Sequence, residues 1–366
     1  MGIARWHKVG MLKRELALYH RLANHVKAIS FITYGGTADE NYRDELGSIQ
    51  LLPSRFVGSN LATFYMLWAK HRKSLRQIDV IKTNQVAGGE IAIKLRRQLG
   101  CRLIARCGYL ASLFAEKSNV SRRILSRIED GERRLYDEAD VGVVTTEHAR
   151  NVLLKKYDID PEKIYVIPNY VDVNLFYQRK KVHAMSESLR ILFVGRLHPQ
   201  KNLANLIEAI GILKNQACIP MELVIIGTGP LEETLKRLSA RLGISATFLG
   251  NMSHDRLPGE MQKSDIFVLP SFYEGHPKAL LEAMSSGLPC VGANVRGIRE
   301  EIKHGETGYL CGTESEEIAE GIAALLESEH LRTTLGDKAR KHAVVNYSLD
   351  RVLTSELEVF RKARNN

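Results

Sequence analysis

Short apolar runs alternate with stretches of helical periodicity along nearly the whole chain, and strands that return through helices pair in parallel. The runs are Ala28–Thr33, Ser48–Leu52, Asp79–Thr83, Cys101–Arg106, Val141–Thr145 and Lys163–Ile167, then Leu189–Val194, Met221–Ile226, Thr247–Leu249, Asp265–Pro270 and Pro289–Gly292. Between them the spacing predicts helices over 11–25, Ser59–Lys73, a stretch ending at Gly100, Ser121–Glu138, Glu147–Lys156, Asn202–Asn215 and Leu231–Leu242, with a last one over Ser348–Lys362. The pattern points to an α/β protein with doubly wound parallel sheets. Residues 174–188 are polar and lose the periodicity, as a linker does. A chain of 366 residues then divides into two domains of ordinary size, 1–172 and 189–347, joined by a linker at 173–188 and followed by a helical segment at 348–366. One element is missing from the pattern. A doubly wound domain opens on an apolar strand, and residues 1–10 contain none. Either the chain begins late or other residues fill that position.

Hydrophobic residues make up 44% of the chain and charged residues 26%, the balance of a soluble globular protein. No apolar run is long enough to span a bilayer, and Met1–Lys8 lacks the apolar core of a signal peptide. The cysteines (101, 107, 218, 290 and 311) are scattered, odd in number and without a CxxC, which points to reduced thiols in the cytoplasm and no zinc site. The net charge of +10 is uneven. Residues 1–172 hold 28 Lys and Arg against 19 Asp and Glu, whereas the remainder holds 24 against 23. A basic half fits an anionic substrate or an anionic membrane surface, or is simply a solvated basic face. No RNP motif or zinc-finger spacing accompanies it, which argues against nucleic acid.

The stretch Glu274-Gly-His-Pro-Lys-Ala-Leu-Leu-Glu282 concentrates the chemistry. The apolar run Asp265–Pro270 enters a loop, and Pro277 suits the first helical position, so a helix is predicted over Lys278–Ser286 and ends at Gly287. Free backbone N–H groups and the helix dipole at such a start form a site for a phosphate. Glu274 precedes the helix and Glu282 lies inside it, so the two carboxylates have different tasks. An anion site flanked by separate carboxylates suits a phosphorylated, hydroxyl-rich ligand such as a nucleotide sugar. The bland alternative is a capping residue and a solvated Glu on the outer face.

Gly195-Arg-Leu-His-Pro-Gln-Lys201 also joins a strand to a helix. Gly195 permits close backbone approach, and Arg196 and Lys201 have the chemistry to neutralise a pyrophosphate, one as a planar fork and the other as a point charge. Gly227-Thr-Gly-Pro230 is a glycine turn of a kind that many αβ units use, and it is a weak signal alone.

Taken together, Val194–Asn202, Ile226–Leu231 and Leu269–Pro289 resemble the retaining glycosyltransferase family 4 of the GT-B fold, and Pro168–Asp172 followed by Phe176 resembles that family's segment at the end of its first domain. The resemblance covers roughly residues 130–345, in the expected order; the first 125 residues match only in general layout. It implies two Rossmann-like domains facing a cleft, with the last helix crossing back to the first domain. It also implies a nucleoside diphosphate sugar donor, of UDP or GDP type, held by the second domain. Arg196 and Lys201 are then expected on the diphosphate, Glu282 on the ribose and Glu274 on the sugar hydroxyls. Gly195, Gly275, His276 and Pro277 shape the donor site, backbone N–H groups of Lys278, Ala279, Leu280 and Leu281 meet a phosphate, and Asn251 and Met252 fall where the base lies.

The implied reaction stabilises the leaving diphosphate with Arg196, Lys201 and the helix N-terminus, without a metal or other cofactor. No DxD stands at a strand end in the second domain, in keeping with this. The family is thought to react on one face of the sugar, and Glu274 as a covalent nucleophile is the less favoured alternative. Many members carry a His after the strand that here ends Ile104–Tyr109, where this chain has Arg106 and Cys107. Arg106 and Asn84, at neighbouring strand ends, are candidates for the acceptor side; Arg106 is equally suited to a structural pair with Asp79 or Glu116. Cys107 reads as small core filler. The expected acceptor is a glycan or a lipid-linked saccharide, with the enzyme cytoplasmic and peripheral on the membrane. Two alternatives share the architecture: a nucleotide-sugar 2-epimerase, and a nucleotide-sugar or polyanion binding protein without turnover.

Overall fold

The computed structural model describes residues 2–118, 120–178, 188–216 and 220–365. The chain forms two compact units. The first comprises Met1–Lys8, Arg14–Asn169 and Val352–Asn366; the second comprises Val9–Lys13 and Tyr170–Arg351.

In the first unit the strands are β1 (Ser30–Thr33), β2 (Gln50–Pro53), β3 (Val80–Lys82), β4 (Arg102–Arg106), β5 (Val141–Val144) and β6 (Ile164–Val166). All pairs are parallel, but they fall into two sheets, β1-β2 and β3-β4-β5-β6. A doubly wound sheet runs 3-2-1-4-5-6. The observed order, β2-β1 and then β3-β4-β5, is that arrangement with no strand in the first place among the described residues. Residues ahead of β1 are helical instead, at Ile3–Lys8 and Leu12–Leu22. Leu12, Leu16, Leu18 and Leu22 of the second helix are buried. The core under the larger sheet is built from Leu67, Leu95, Leu103, Leu135, Tyr136 and Leu153. Cys107 is buried in it and burial pushes its thiol up to about 12, so it is filler and not a nucleophile. Cys101, Cys107, Cys290 and Cys311 are free thiols, and Cys218 lies outside the described residues.

The second unit has one six-stranded parallel sheet: β7 (Leu189–Val194), β8 (Met221–Ile226), β9 (Ala246–Gly250), β10 (Ile266–Leu269), β11 (Cys290–Ala293) and β12 (Tyr309–Cys311). Their order, β12-β11-β10-β7-β8-β9, is the doubly wound order complete. It reverses between β7 and β10, and in such sheets ligands bind at the carboxyl ends of the strands flanking that reversal. The inner strands are near-continuous apolar runs because helices cover both faces; Leu192, Phe193, Phe267 and Val268 are fully buried.

Two expectations are corrected. Phe176, read as linker, is fully buried in the second unit's core, and its carbonyl accepts a hydrogen bond from Ser285 Oγ at 2.7 Å. Most of the rest of that linker, 179–187, lies outside the described residues. The helix after Pro277 runs over Lys278–Ser285, with Pro277 as the cap residue before it and not as its first residue.

Candidate active site

The loops after β7 and β10 meet at the reversal of the second sheet. The loop after β7 is held from below by the glycine turn after β8. Gly195 N–H donates to the Ile226 carbonyl at 2.9 Å, and Leu197 N–H donates to the Thr228 carbonyl at 3.0 Å. Gly227 has φ +136°, and a Cβ there would lie 1.8 Å from the Gly195 carbonyl oxygen. The turn that reads as a weak signal alone is therefore the floor of the Arg196 loop. His198 caps a single helical turn, Pro199–Lys201, which aims Lys201 toward the loop after β10. Asn202, in the left-handed region at φ 55°, donates from Nδ2 to the carbonyls of Pro270 at 3.1 Å and Thr313 at 2.7 Å.

Lys201 Nζ pairs with Glu274 Oε1, and Ser271 Oγ donates to the same oxygen at 2.7 Å. Both charged side chains are largely buried, at 14% and 7% exposure. Arg196 Nη2 donates to Gln200 Oε1 at 3.2 Å, and Gln200 Nε2 donates to the Tyr273 carbonyl at 2.8 Å. Two cations and a carboxylate thus converge in front of the helix Lys278–Ser285. Gly297 lets the loop lie close: a Cβ there would stand 2.2 Å from the Gly275 carbonyl oxygen. Leu280 and Leu281 donate their N–H groups to the Pro277 carbonyl at 3.1 and 3.3 Å, which takes these two out of the phosphate-facing set. The Leu280 side chain is fully buried.

Glu282 is not a solvated residue on an outer face. It is buried, and His254 Nε2 lies 3.0 Å from its Oε1. His254 in turn packs against the Phe176 ring at 5.0 Å between centroids. His276 turns its ring inward, with Nε2 3.1 Å from Glu301 Oε1. Burial alone would raise the Glu301 carboxyl, but the hydrogen bonds from His276 and the Tyr347 hydroxyl hold it below the usual carboxylate range. His254 and Glu301 do not stand out in the sequence, since each meets its partner only through tertiary folding. Asn251, at the turn after β9, is exposed, and Met252 packs partly on the core of the unit.

In the first unit Arg106 takes neither expected partner. Its Nε lies 3.2 Å from Glu356 Oε1, and Glu116 pairs with Lys156 instead. Lys82 Nζ lies 2.6 Å from the other oxygen of Glu356, which is fully buried. Burial pushes this carboxyl up, but Lys82 and Arg106 together hold it below the ordinary range. Asn84 Oδ1 accepts from the Tyr19 hydroxyl at 2.5 Å.

Two family models match successive stretches of the chain. Residues 15–175 match the model of Glycosyltransferase Family 4, and residues 177–342 match that of Glycosyl transferases group 1. The chain is 30% identical to a D-inositol 3-phosphate glycosyltransferase of Paenarthrobacter aurescens, over 78% of this chain and 73% of the relative. It is 34% identical to the UDP-Gal:alpha-D-GlcNAc-diphosphoundecaprenol alpha-1,3-galactosyltransferase of Escherichia coli over 44% of each chain. Anabaena Alr3699/HepE, solved in complex with UDP and glucose, superposes with a TM-score of 0.77 at 20% identity over 94% of this chain and 95% of that one. The chain belongs to glycosyltransferase family 4 and has the GT-B fold, with two Rossmann-like domains of parallel strands.

Proposed function

We propose that this glycosyltransferase moves a hexose, with retention of anomeric configuration, from a uridine diphosphate sugar to a phosphate-bearing acceptor carried on a lipid or glycan. The observation that carries the donor half is the convergence of Arg196, Lys201 and Glu274 before the helix at Lys278, with the buried His254–Glu282 pair behind it. In this reading the diphosphate takes Lys201 and Arg196 as partners, and Glu274, released from Lys201, turns to the sugar hydroxyls. Glu282, oriented by His254, receives the ribose, and the turn at Asn251 and Met252 lies against the base. As the glycosidic bond to the diphosphate breaks, negative charge grows on the leaving phosphate, where the two cations and the helix N-terminus are already placed. The acceptor hydroxyl attacks from the same face and gives its proton to the departing phosphate, so no metal is required.

UDP is favoured as the nucleotide because Anabaena Alr3699/HepE was solved with UDP and the E. coli relative is named for UDP-Gal. The acceptor class rests on charge. The relatives' names give inositol 3-phosphate and a diphosphoundecaprenol-linked sugar, both anionic, and the excess of Lys and Arg lies in residues 1–172. Asn84 and Arg106 are assigned to the acceptor side by their position at the ends of the neighbouring strands β3 and β4, not by free charge, since Arg106 pairs with Glu356.

The test is a transfer assay with UDP-glucose, UDP-galactose and UDP-N-acetylglucosamine against phosphorylated acceptors, with the product's anomeric proton followed by NMR. An α-linked product from an α-linked donor supports the reading. An inverted product, epimerised donor without acceptor, or donor binding with no transfer to any acceptor would contradict it.

A further inference from the structure

The first unit carries a surface that the donor site does not use. Phe56, Val57, Leu61 and Tyr65 are 53%, 45%, 52% and 61% exposed, an unusual concentration of large apolar side chains within ten residues of one another. They are held on a fixed frame. Ser59 caps the helix Asn60–Leu75 by accepting from Ala62 N–H at 3.1 Å, and Val57 N–H donates to Thr63 Oγ1 at 3.2 Å, which ties the loop to the helix. Thr63, Phe64, Leu67 and Leu75 face the core. The opposite, exposed face runs Leu61, Tyr65, Ala69, Arg72, Lys73 and Arg76, at the steps of three and four that keep residues on one side of a helix. It begins apolar and ends basic.

The chain from Leu46 to Ile78 contains no Asp or Glu, while Arg55, Lys70, Arg72, Lys73 and Arg76 all fall within it. Among the described residues Arg55, Arg72, Lys73 and Arg76 enter no ion pair. Lysine is depleted from the cores of protein interfaces, whereas apolar side chains beside uncompensated Lys and Arg suit the boundary of an anionic bilayer.

We infer that the loop Arg55–Gly58 and the exposed face of the helix Asn60–Leu75 form a docking surface for a lipid bilayer with anionic headgroups. Phe56, Val57, Leu61 and Tyr65 enter the boundary of the acyl chains, and Arg72, Lys73 and Arg76 meet the headgroups. Among the described residues no helix is long and apolar enough to cross a membrane, so this is attachment and not insertion. The inference extends the reading of a lipid-borne acceptor by naming the surface that meets the membrane. Its test needs neither donor nor acceptor, so it fails or stands separately from that reading.

The experiment is co-sedimentation of the full chain with phosphatidylcholine vesicles, with and without about a third phosphatidylglycerol, in about 0.1 M salt, where the screening length is about 10 Å. The wild-type chain is expected in the pellet with anionic vesicles and in the supernatant with neutral ones. Arg72→Ser/Lys73→Ser/Arg76→Ser should weaken partitioning about a hundredfold, at about fivefold per charge. Phe56→Ser/Leu61→Ser/Tyr65→Ser should weaken it at least about tenfold. A control, Arg122→Ser/Arg123→Ser/Arg127→Ser, removes three exposed charges from another helix and should bind as the wild type does. Ligand-free thermal melts and far-UV circular dichroism matching the wild type would show that each variant is folded. Equal pelleting with both vesicle types, or equal loss in the control and the Arg72 variant, overturns the inference. So does a lipid-free dimer, seen by sedimentation velocity, that the Phe56 variant dissociates while the wild type ignores vesicles.

Discussion

His254 Nε2 lies 3.0 Å from Glu282 Oε1, and both side chains are buried. A carboxylate withdrawn from water in this way needs its partner, and the partner fixes which way its oxygens point. Replacing His254 with Ala leaves Glu282 short of one bond, at a cost of about 1–3 kcal/mol. With Glu282 on the ribose, the effect falls on donor binding: KM for the nucleotide sugar rises about tenfold or more while kcat changes little. Steady-state kinetics on His254→Ala and His254→Gln check this, and a loss confined to kcat would contradict it.

Lys201 and Glu274 form the opposite case, since both are assigned to reacting parts of the donor. Lys201→Ala should lower kcat by about a hundred- to a thousandfold, the range for removing one preorganised electrostatic group. Glu274→Gln should lower kcat with little change in the affinity for free nucleoside diphosphate. Calorimetry with UDP alone separates the two: binding falls in Lys201→Ala and persists in Glu274→Gln.

Gly227 is a backbone prediction. Its φ of +136° disfavours any side chain, and a Cβ would stand 1.8 Å from the Gly195 carbonyl oxygen. Gly227→Ala therefore displaces the Arg196 loop. The expected outcome is a lower melting temperature together with loss of donor binding. Gly259→Ala, at a helical position where a Cβ meets nothing within 4 Å, should preserve donor binding.

Glu356 makes an acid-sensitive link in the first unit. Its folded carboxyl titrates below the ordinary range because of Lys82 and Arg106, although burial opposes them. An unfolded Glu titrates near about 4.3. The stabilisation is therefore complete above that value and is lost as pH falls through the lower, folded value. Glu356→Gln should destabilise the chain by about 3–5 kcal/mol at neutral pH, since it leaves two buried cations without their counter-charge. Thermal melts across the acid range check this: the gap between wild type and variant should narrow as pH drops below about 4.

Much of the fold is readable before any coordinates. The strands Leu189–Val194 and Met221–Ile226 appear at the predicted residues, because a fully buried parallel strand is a closed apolar run. The loops carrying Arg196, Lys201 and Glu274 are readable for the same reason, as each leaves such a strand. Short elements are harder. Tyr309–Cys311 has three residues at the sheet edge, and Ile3–Lys8 is a single short helix where the sequence shows neither a strand nor a helix. Phe176 is an isolated aromatic among polar neighbours, and only the fold reveals that it is buried.

The partners of the site residues are the least readable. Glu282 meets a histidine 28 positions away and Glu356 a lysine 274 positions away, and neither spacing has a local signature. Glu356 did leave one trace. Val352, Val359 and Ala363 are buried around it on the same helix face, and a carboxylate in an apolar stripe marks a buried ion pair.

Donor binding by the second unit is the centre of the account, and a thermal-shift titration tests it most directly. The wild-type chain, Arg196→Ala and Glu282→Ala are each heated with UDP-, GDP- and ADP-sugars. A ligand that binds only the folded state, at about a hundred times its dissociation constant, adds about 2.7 kcal/mol. The account predicts a rise in melting temperature with UDP-sugars alone, absent in both variants. No rise with any nucleotide sugar, or a rise that survives both substitutions, would contradict it.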